Sequence, residues 1–163
     1  MFRRLIATSN SMGMLWARIP LGIIMIQHGY GKVLNLPNFI QFCDNLGIPP
    51  FFAVCAACGE FFGGLGVLLG GLTRIAAFGV GCTMAVAAIT RHMLPGYGFV
   101  MNYHGTLPFA TEGYEFHSVA VGIAATLMFL GAGAWSLDNV LSRILAKRKA
   151  QSPVLQGSPA LGD

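Results

Sequence analysis

Between Cys55 and Gly70 the chain reads CAACGEFFGGLGVLLG, an apolar run broken by a single carboxylate, Glu60. Wound as an α-helix, this run gathers Gly59, Gly63, Gly66 and Gly70 into a narrow arc that Cys55 and Ala56 extend, because alternating steps of four and three residues return close to one angle. Small residues repeated in this way let a second helix approach backbone to backbone. That is the usual basis of helix association in lipid, where burying apolar surface no longer drives packing. Glu60 lies beside the glycine strip and is expected to face neighbouring helices. An ionised carboxylate at membrane depth costs several kcal/mol unless it is paired or protonated, so its partner has to come from elsewhere in the chain.

Composition agrees with a membrane setting. Of 163 residues 55% are hydrophobic and only 10% charged, where an ordinary soluble domain carries about a quarter charged residues. The formal net charge is +4, but the basic residues flank apolar runs, as topology signals do, and form no basic groove or reader motif for nucleic acid. Four unevenly spaced cysteines do not make a disulfide framework of the secreted kind.

The order of apolar runs and breakers predicts an all-α, four-transmembrane-helix bundle with a short C-terminal interfacial amphipathic helix. Residues 1–11 are expected to be a cytoplasmic segment whose Thr8-Ser9-Asn10-Ser11 caps the first span, and 12–135 the membrane domain. The first span, Met12 to about Leu34, is read as retained because it is long enough to cross a bilayer and lacks a small-residue cleavage site. It places Arg18, Gly22, Met25, Gly29 and Lys32 on one face, with His28 at its edge. Pro37, Gly47, Pro49 and Pro50 bracket a short amphipathic piece, Phe39 to Leu46, lying on the surface. The second span runs from about Phe51 to Leu69, the third from Ile75 to about Ile89, and the fourth from Glu115 to about Leu130. Met93 to Tyr114 alternates Gly and Pro with aromatic residues and reads as an interfacial loop. Ser136-Leu137-Asp138 is expected to cap the amphipathic helix of residues 136–150, and 151–163 to be a disordered tail.

Four spans put both termini and the Gly70 to Arg74 turn on one side, together with Arg3, Arg4, Arg143, Lys147, Arg148 and Lys149. The positive-inside rule makes that side cytoplasmic. Glu60, His28, Lys32, Glu115 and His117 then concentrate in the outer half.

Several pieces carry a resemblance: Arg18-Ile19-Pro20-Leu21-Gly22, His28-Gly29-Tyr30-Gly31-Lys32, Gly47-Ile48-Pro49, Glu60-Phe61-Phe62-Gly63-Gly64, Leu68-Leu69-Gly70, Leu72-Thr73-Arg74, and Gly131 through Trp135-Ser136-Leu137-Asp138. In this order and spacing, from Trp16 to Asp138, the chain resembles the DoxX family of small bacterial membrane proteins. The resemblance implies a four-helix protein of the bacterial inner membrane. The family takes its name from a subunit of a thiosulfate:quinone oxidoreductase, and other members are linked to thiol and oxidative-stress chemistry. Ala132 stands where many relatives carry proline.

Three constellations bear chemistry. In the first, His28, Lys32 and Glu60, with Glu115, a cation and a carboxylate either hold a quinone head group and relay its protons, or form a structural ion pair between two helices. Arg18, Glu115 and His117 are the further candidates for contacting such a ligand, although Arg18, near the inner end, also has Asp138 as a potential partner. The second is Cys55 and Cys58, one turn apart, which read either as a redox pair, with Cys43 as a third thiol, or as small hydrophobes; Cys82 reads as packing. The third is His92, His104, Glu112, Glu115 and His117, donors sufficient for zinc or copper but matching no compact ligand motif, so no metal site is assigned.

The sequence reading is therefore a subunit or accessory of membrane redox metabolism, with protein partners from a redox complex. The alternative is a non-enzymatic assembly partner or small-solute transporter. The glycine face also offers a surface for self-association. No flavin, haem or nucleotide fingerprint occurs, so electrons would come through a quinone, thiols or another subunit.

Overall fold

A computed structural model describes residues 6, 8, 11–92 and 114–156. Among them there are six α-helices and no strands. They are α1 (Gly13–Leu34), α2 (Leu36–Asn45), α3 (Pro50–Leu69), α4 (Thr73–Ala87, continued by a π-helical turn Ala88–His92), α5 (Glu115–Leu130) and α6 (Leu137–Gln156). Helix α3 packs against α1 on one side and α4 on the other, α4 packs against α5, and α5 returns to touch α1. The shared core is Leu21, Met25, Val67, Ala77, Val80, Met84, Ala120, Ala124 and Leu127.

Helices α3 and Thr73–Thr90 are long and apolar enough to cross a membrane. Helix α1 is long enough at 22 residues, but Arg18, Gln27, His28 and Lys32 dilute its apolar character. Helix α5 is apolar but has only 16 residues. The helices expose large apolar side chains, among them Trp16, Phe51, Phe62, Phe78, Phe129 and Trp135. So much exposed apolar surface marks contact with lipid or with other chains.

The glycine strip of α3 does what small residues do in lipid, and it does so toward α4. A methyl group added at Gly59 would meet Thr83, at Gly63 it would meet Val80, and at Gly66 it would fall 2.8 Å from Ala76 Cβ. The contact with α1 uses a second small-residue face that the 59/63/66/70 arc does not contain. A Cβ on Gly64 would stand 2.8 Å from both Ile26 N and Met25 Cβ, and one on Gly22 would stand 2.7 Å from Leu68 Cβ. Gly64→Val is therefore expected to wedge α1 from α3 and cost about 1–3 kcal/mol or more, measurable as a lowered unfolding midpoint in mild detergent. Gly31→Ala, where a Cβ meets nothing within 4 Å, is expected to leave that midpoint unchanged.

The buried face of α1 is Arg18, Leu21, Gly22, Met25 and Gly29, as its angular pattern predicts. Two local expectations change. The cap of α1 has no side-chain cap bond; the Ser11 hydroxyl accepts from Gly13 N at 3.1 Å, while Thr8 Oγ1 accepts from Gly133 N, so the segment ahead of α1 is tied to the loop before α6. Helix α6 also runs past Ala150 to Gln156, beyond the expected boundary, because the good helix formers through Lys149 leave no stop signal there. The expected interfacial loop, with His104 and Glu112, lies outside the described residues except for Tyr114, as do 157–163.

Candidate functional site

Two glycine-mediated approaches determine how closely the polar groups of α1 and α3 meet. Gly29 lies so near α3 that a Cβ there would be 2.7 Å from Phe61 Cα, which brings the last turn of α1 alongside Glu60. The Lys32 ammonium donates to both Glu60 carboxylate oxygens at 2.5 Å. The Glu60 side chain is 2% exposed and that of Lys32 28% exposed. The pair is therefore asymmetric, with its anion inside the bundle and its cation at the edge. Lys32 Nζ also lies 5.1 Å from the centre of the Phe39 ring, so the same cation holds α2 against the end of α1.

Beside this pair, at the end of the bundle covered by α2, is a cavity of about 570 Å³. Its walls come from five segments. His28 and Lys32 project from α1, Phe39, Phe42 and Cys43 from α2, Phe52 and Cys55 from the start of α3, Cys82, Thr83 and Thr90 from α4 and its π turn, and Phe116 and His117 from α5. The His28 ring stacks on Phe116 at 5.7 Å between centroids, tilted by 20°. His117 is buried. The result is an apolar, aromatic enclosure with a few convergent polar groups, the usual make-up of a small-molecule pocket. The π turn at its rim widens α4 where Thr90 contributes to the wall.

Of the site residues expected from the sequence, Lys32 and Glu60 meet directly, and His28, Lys32 and His117 share the cavity wall. Glu115, at the first turn of α5, is half-buried and does not line the cavity. Arg18 lies elsewhere. It stands roughly 21 Å from Lys32 along α1 at 1.5 Å per residue, and all its bonds go to main-chain carbonyls: Nε to Val67 at 2.9 Å, Nη2 to Leu68, and Nη1 to Ala132 and Trp135, each at 2.8 Å. The ion pair with Asp138 considered above does not form. Asp138 instead accepts from Leu72 N and Thr73 N at 2.8 and 2.9 Å, capping α4, and its own amide donates to Gly70 O. Arg18 thus satisfies carbonyls left free at the end of α3, and Asp138 satisfies amides left free at the start of α4. Gly70, in the left-handed conformation with φ 69°, fits between them; a Cβ there would stand 2.8 Å from Arg18 Cζ.

All four cysteines are free thiols, with Cys43 buried and Cys55, Cys58 and Cys82 exposed. Cys55 and Cys82 line the cavity from adjacent helices, whereas Cys58 does not. Burial pushes the Cys43 thiol pKa up; Lys32 pulls it down and Glu60 raises it further. Cys43 is accordingly expected to be the last of the four to react with N-ethylmaleimide at neutral pH in detergent, a ranking that peptide mass analysis of a labelling time course checks directly. No cluster of three or more His, Cys, Asp or Glu side chains suited to a metal occurs among the described residues.

The contribution of α2 to the site was not foreseen. Its Phe39, Phe42 and Cys43 supply one wall, and the available signal was the aromatic face of an amphipathic piece set between two proline breaks.

A helical bundle that exposes its large apolar side chains and buries a carboxylate beside a lysine belongs to the class of membrane proteins. Residues 13–93 match the DoxX family, and the chain is a member of that family. It is similar to the inner membrane protein YqjF of Escherichia coli strain K12, with 29% identity over 137 residues that span 82% of this chain and 95% of the relative. Family and relative support an inner-membrane location. No solved structure shows significant similarity to the chain.

Proposed function

We propose that this protein is a small four-span subunit or accessory of membrane redox metabolism, with both termini in the cytoplasm, contacting a quinone or a sulfur compound through the cavity beside Lys32. The observation that carries the reading is the ammonium of Lys32 on the wall of an aromatic cavity, with the Glu60 carboxylate behind it on the dry side. A lysine so placed offers a hydrogen bond to a carbonyl oxygen of a ring lying among Phe39, Phe52 and Phe116. Reduction of a quinone consumes two electrons and two protons. Lys32, the partly exposed member of the pair, passes protons one at a time from water to the ring oxygens while Glu60 holds it in place, and the electrons come from a partner subunit. His28, stacked on Phe116, is the second polar group that such a ring would meet.

The transporter alternative is disfavoured by the core. Leu21, Met25, Val67 and Val80 fill the bundle on the inner side of Glu60, leaving no polar continuation across it. A pure assembly role remains the competing account of the same ion pair.

Photolabelling of membranes with an azidoquinone tests the proposal. Labelled peptides from α2, the start of α3 or the start of α5, protected by excess ubiquinone and lost in Lys32→Met at equal protein level, are the expected result. Labelling that is absent, or indifferent to competitor and variant, would refute it. The span count and orientation are checked by reporter fusions after Gly71, His104 and Ser136; cytoplasmic, periplasmic and cytoplasmic readings in that order are expected.

A further inference from the structure

At the opposite end of the bundle a second groove, of about 700 Å³, lies between the start of α1, the end of α3 and the first two turns of α6. We propose that it seats one anionic phospholipid, with the phosphate on Arg143 and an acyl chain along the groove. The inference requires only that the chain sits in a bilayer and is independent of the redox reading.

Met12, Leu69, Trp135, Leu137 and Val140 give the groove its apolar walls, and all five are exposed. Its floor is rigid, because beneath it run the Arg18 bonds to Ala132 and Trp135, the Ser136 hydroxyl cap on Asn139 N, and the Asp138 bonds to α4. Among the described residues that line it, one cation, Arg143, stands at the edge. Its Nε donates a long 3.3 Å bond to Asn139 Oδ1, and its terminal nitrogens form no bond among the described residues. A guanidinium fork held this way matches two oxygens of a phosphate.

Among the described residues no carboxylate lines the groove to oppose an anion. The nearest acid in sequence, Asp138, has one oxygen taken by Leu72 N and the other by Thr73 N. Lys147 and Arg148 follow on the same exposed helix and strengthen the positive field. The depth also fits, because Trp135 here and Trp16 on α1 are both exposed, and such rings settle at headgroup level. An apolar trough that ends in a single arginine at the headgroup boundary complements one molecule with a fatty chain and an anionic head.

The test uses the full-length protein, purified in neutral detergent and equilibrated with mixed micelles of phosphatidylglycerol and phosphatidylethanolamine, with retained lipid counted by native mass spectrometry. The expected result is one phosphatidylglycerol per chain, retained in preference to phosphatidylethanolamine. Arg143→Gln is expected to weaken retention by about fivefold, the effect of one basic residue near a lipid surface. Val140→Trp, which fills the groove without changing charge, should weaken it comparably, as should Leu137→Trp. Lys147→Gln, outside the groove, removes only its share of the general positive field and should weaken retention clearly less than Arg143→Gln does. Equal losses in Arg143→Gln and Lys147→Gln with retention intact in both tryptophan variants would mean diffuse attraction to α6 and overturn the proposal. So would wild-type protein that does not distinguish the two lipids. Unchanged helical circular dichroism certifies each variant as folded.

Discussion

Replacing Lys32 with Met is expected to destabilise the protein by about 3–5 kcal/mol, because removing one member of a buried pair leaves the other as an uncompensated charge. The asymmetry of the pair makes the prediction sharper. Glu60 is 2% exposed and loses its counter-ion with no access to water, whereas Lys32, 28% exposed, can turn outward when Glu60 is removed. Glu60→Gln should therefore cost distinctly less than Lys32→Met. The double variant Lys32→Met with Glu60→Gln should recover part of the loss, since no buried charge then lacks a partner and only a neutral amide is left to satisfy. Unfolding of all four proteins in one detergent, followed by circular dichroism, completes the cycle. Additive losses would mean that the two side chains do not interact.

The second large effect is at the opposite end of the bundle. Arg18 makes four hydrogen bonds to carbonyls on two separate segments and is buried. Hydrogen bonds from charged groups are worth about 1.5–3 kcal/mol each, although they do not add simply. Arg18→Met should consequently remove all four bonds at once and strip the Leu68, Ala132 and Trp135 carbonyls of their donor, Val67 O keeping its bond from Gly70 N, enough to abolish accumulation of folded protein. Arg18→Lys is not expected to rescue it, because one ammonium cannot reproduce a planar fork that spans both segments. Gly70→Ala should weaken the same junction through its left-handed backbone and the crowding against Arg18. Amounts of folded protein, measured by fluorescence-detected size exclusion in detergent, report all three. Normal accumulation of Arg18→Met would remove the structural role assigned here.

These two clusters show what the sequence could reveal. Helical angle alone placed Arg18, Gly22, Met25, Gly29 and Lys32 on one face, and hydropathy with the cost of a buried acid pointed to a basic partner for Glu60. Both inferences rest on short-range geometry and on a large energy, which pattern reading captures well. Arg18 was harder. A buried arginine announces a partner, but main-chain carbonyls at a helix end carry no side-chain signature, so Asp138 looked like the natural counter-ion. Ser136-Leu137-Asp138 reads in the sequence as the cap of the amphipathic helix, yet in the fold the run from Gly131 to Asp138 closes a junction of α1, α3, α4 and α6. Gly64 was hidden for a related reason. Its neighbour Gly63 fits the strip toward α4, and only the packing of α1 shows that a second close approach exists. The wall supplied by α2 depends on how a ten-residue helix between proline breaks folds back, a tertiary choice that local propensity does not encode.

The Lys32–Glu60 pair, together with the aromatic enclosure beside it, links fold to function in this account. The glycines bring α1 and α3 close enough for Lys32 to reach Glu60, the pair presents an ammonium to the cavity, and α2 is held over that cavity by the contact of Lys32 with Phe39. The most direct test is the dipolar coupling between the Lys32 side-chain nitrogen and the Glu60 carboxyl carbon, measured by rotational-echo solid-state NMR on ¹⁵N-lysine, ¹³C-glutamate protein in lipid bilayers. Lys147 and Lys149 would be changed to arginine so that one labelled side-chain amine remains. Rapid dephasing characteristic of a directly contacting pair, lost in Glu60→Gln made in the same background, is the predicted result. A Lys32 signal that does not dephase would place the two charges apart in the membrane and contradict the account.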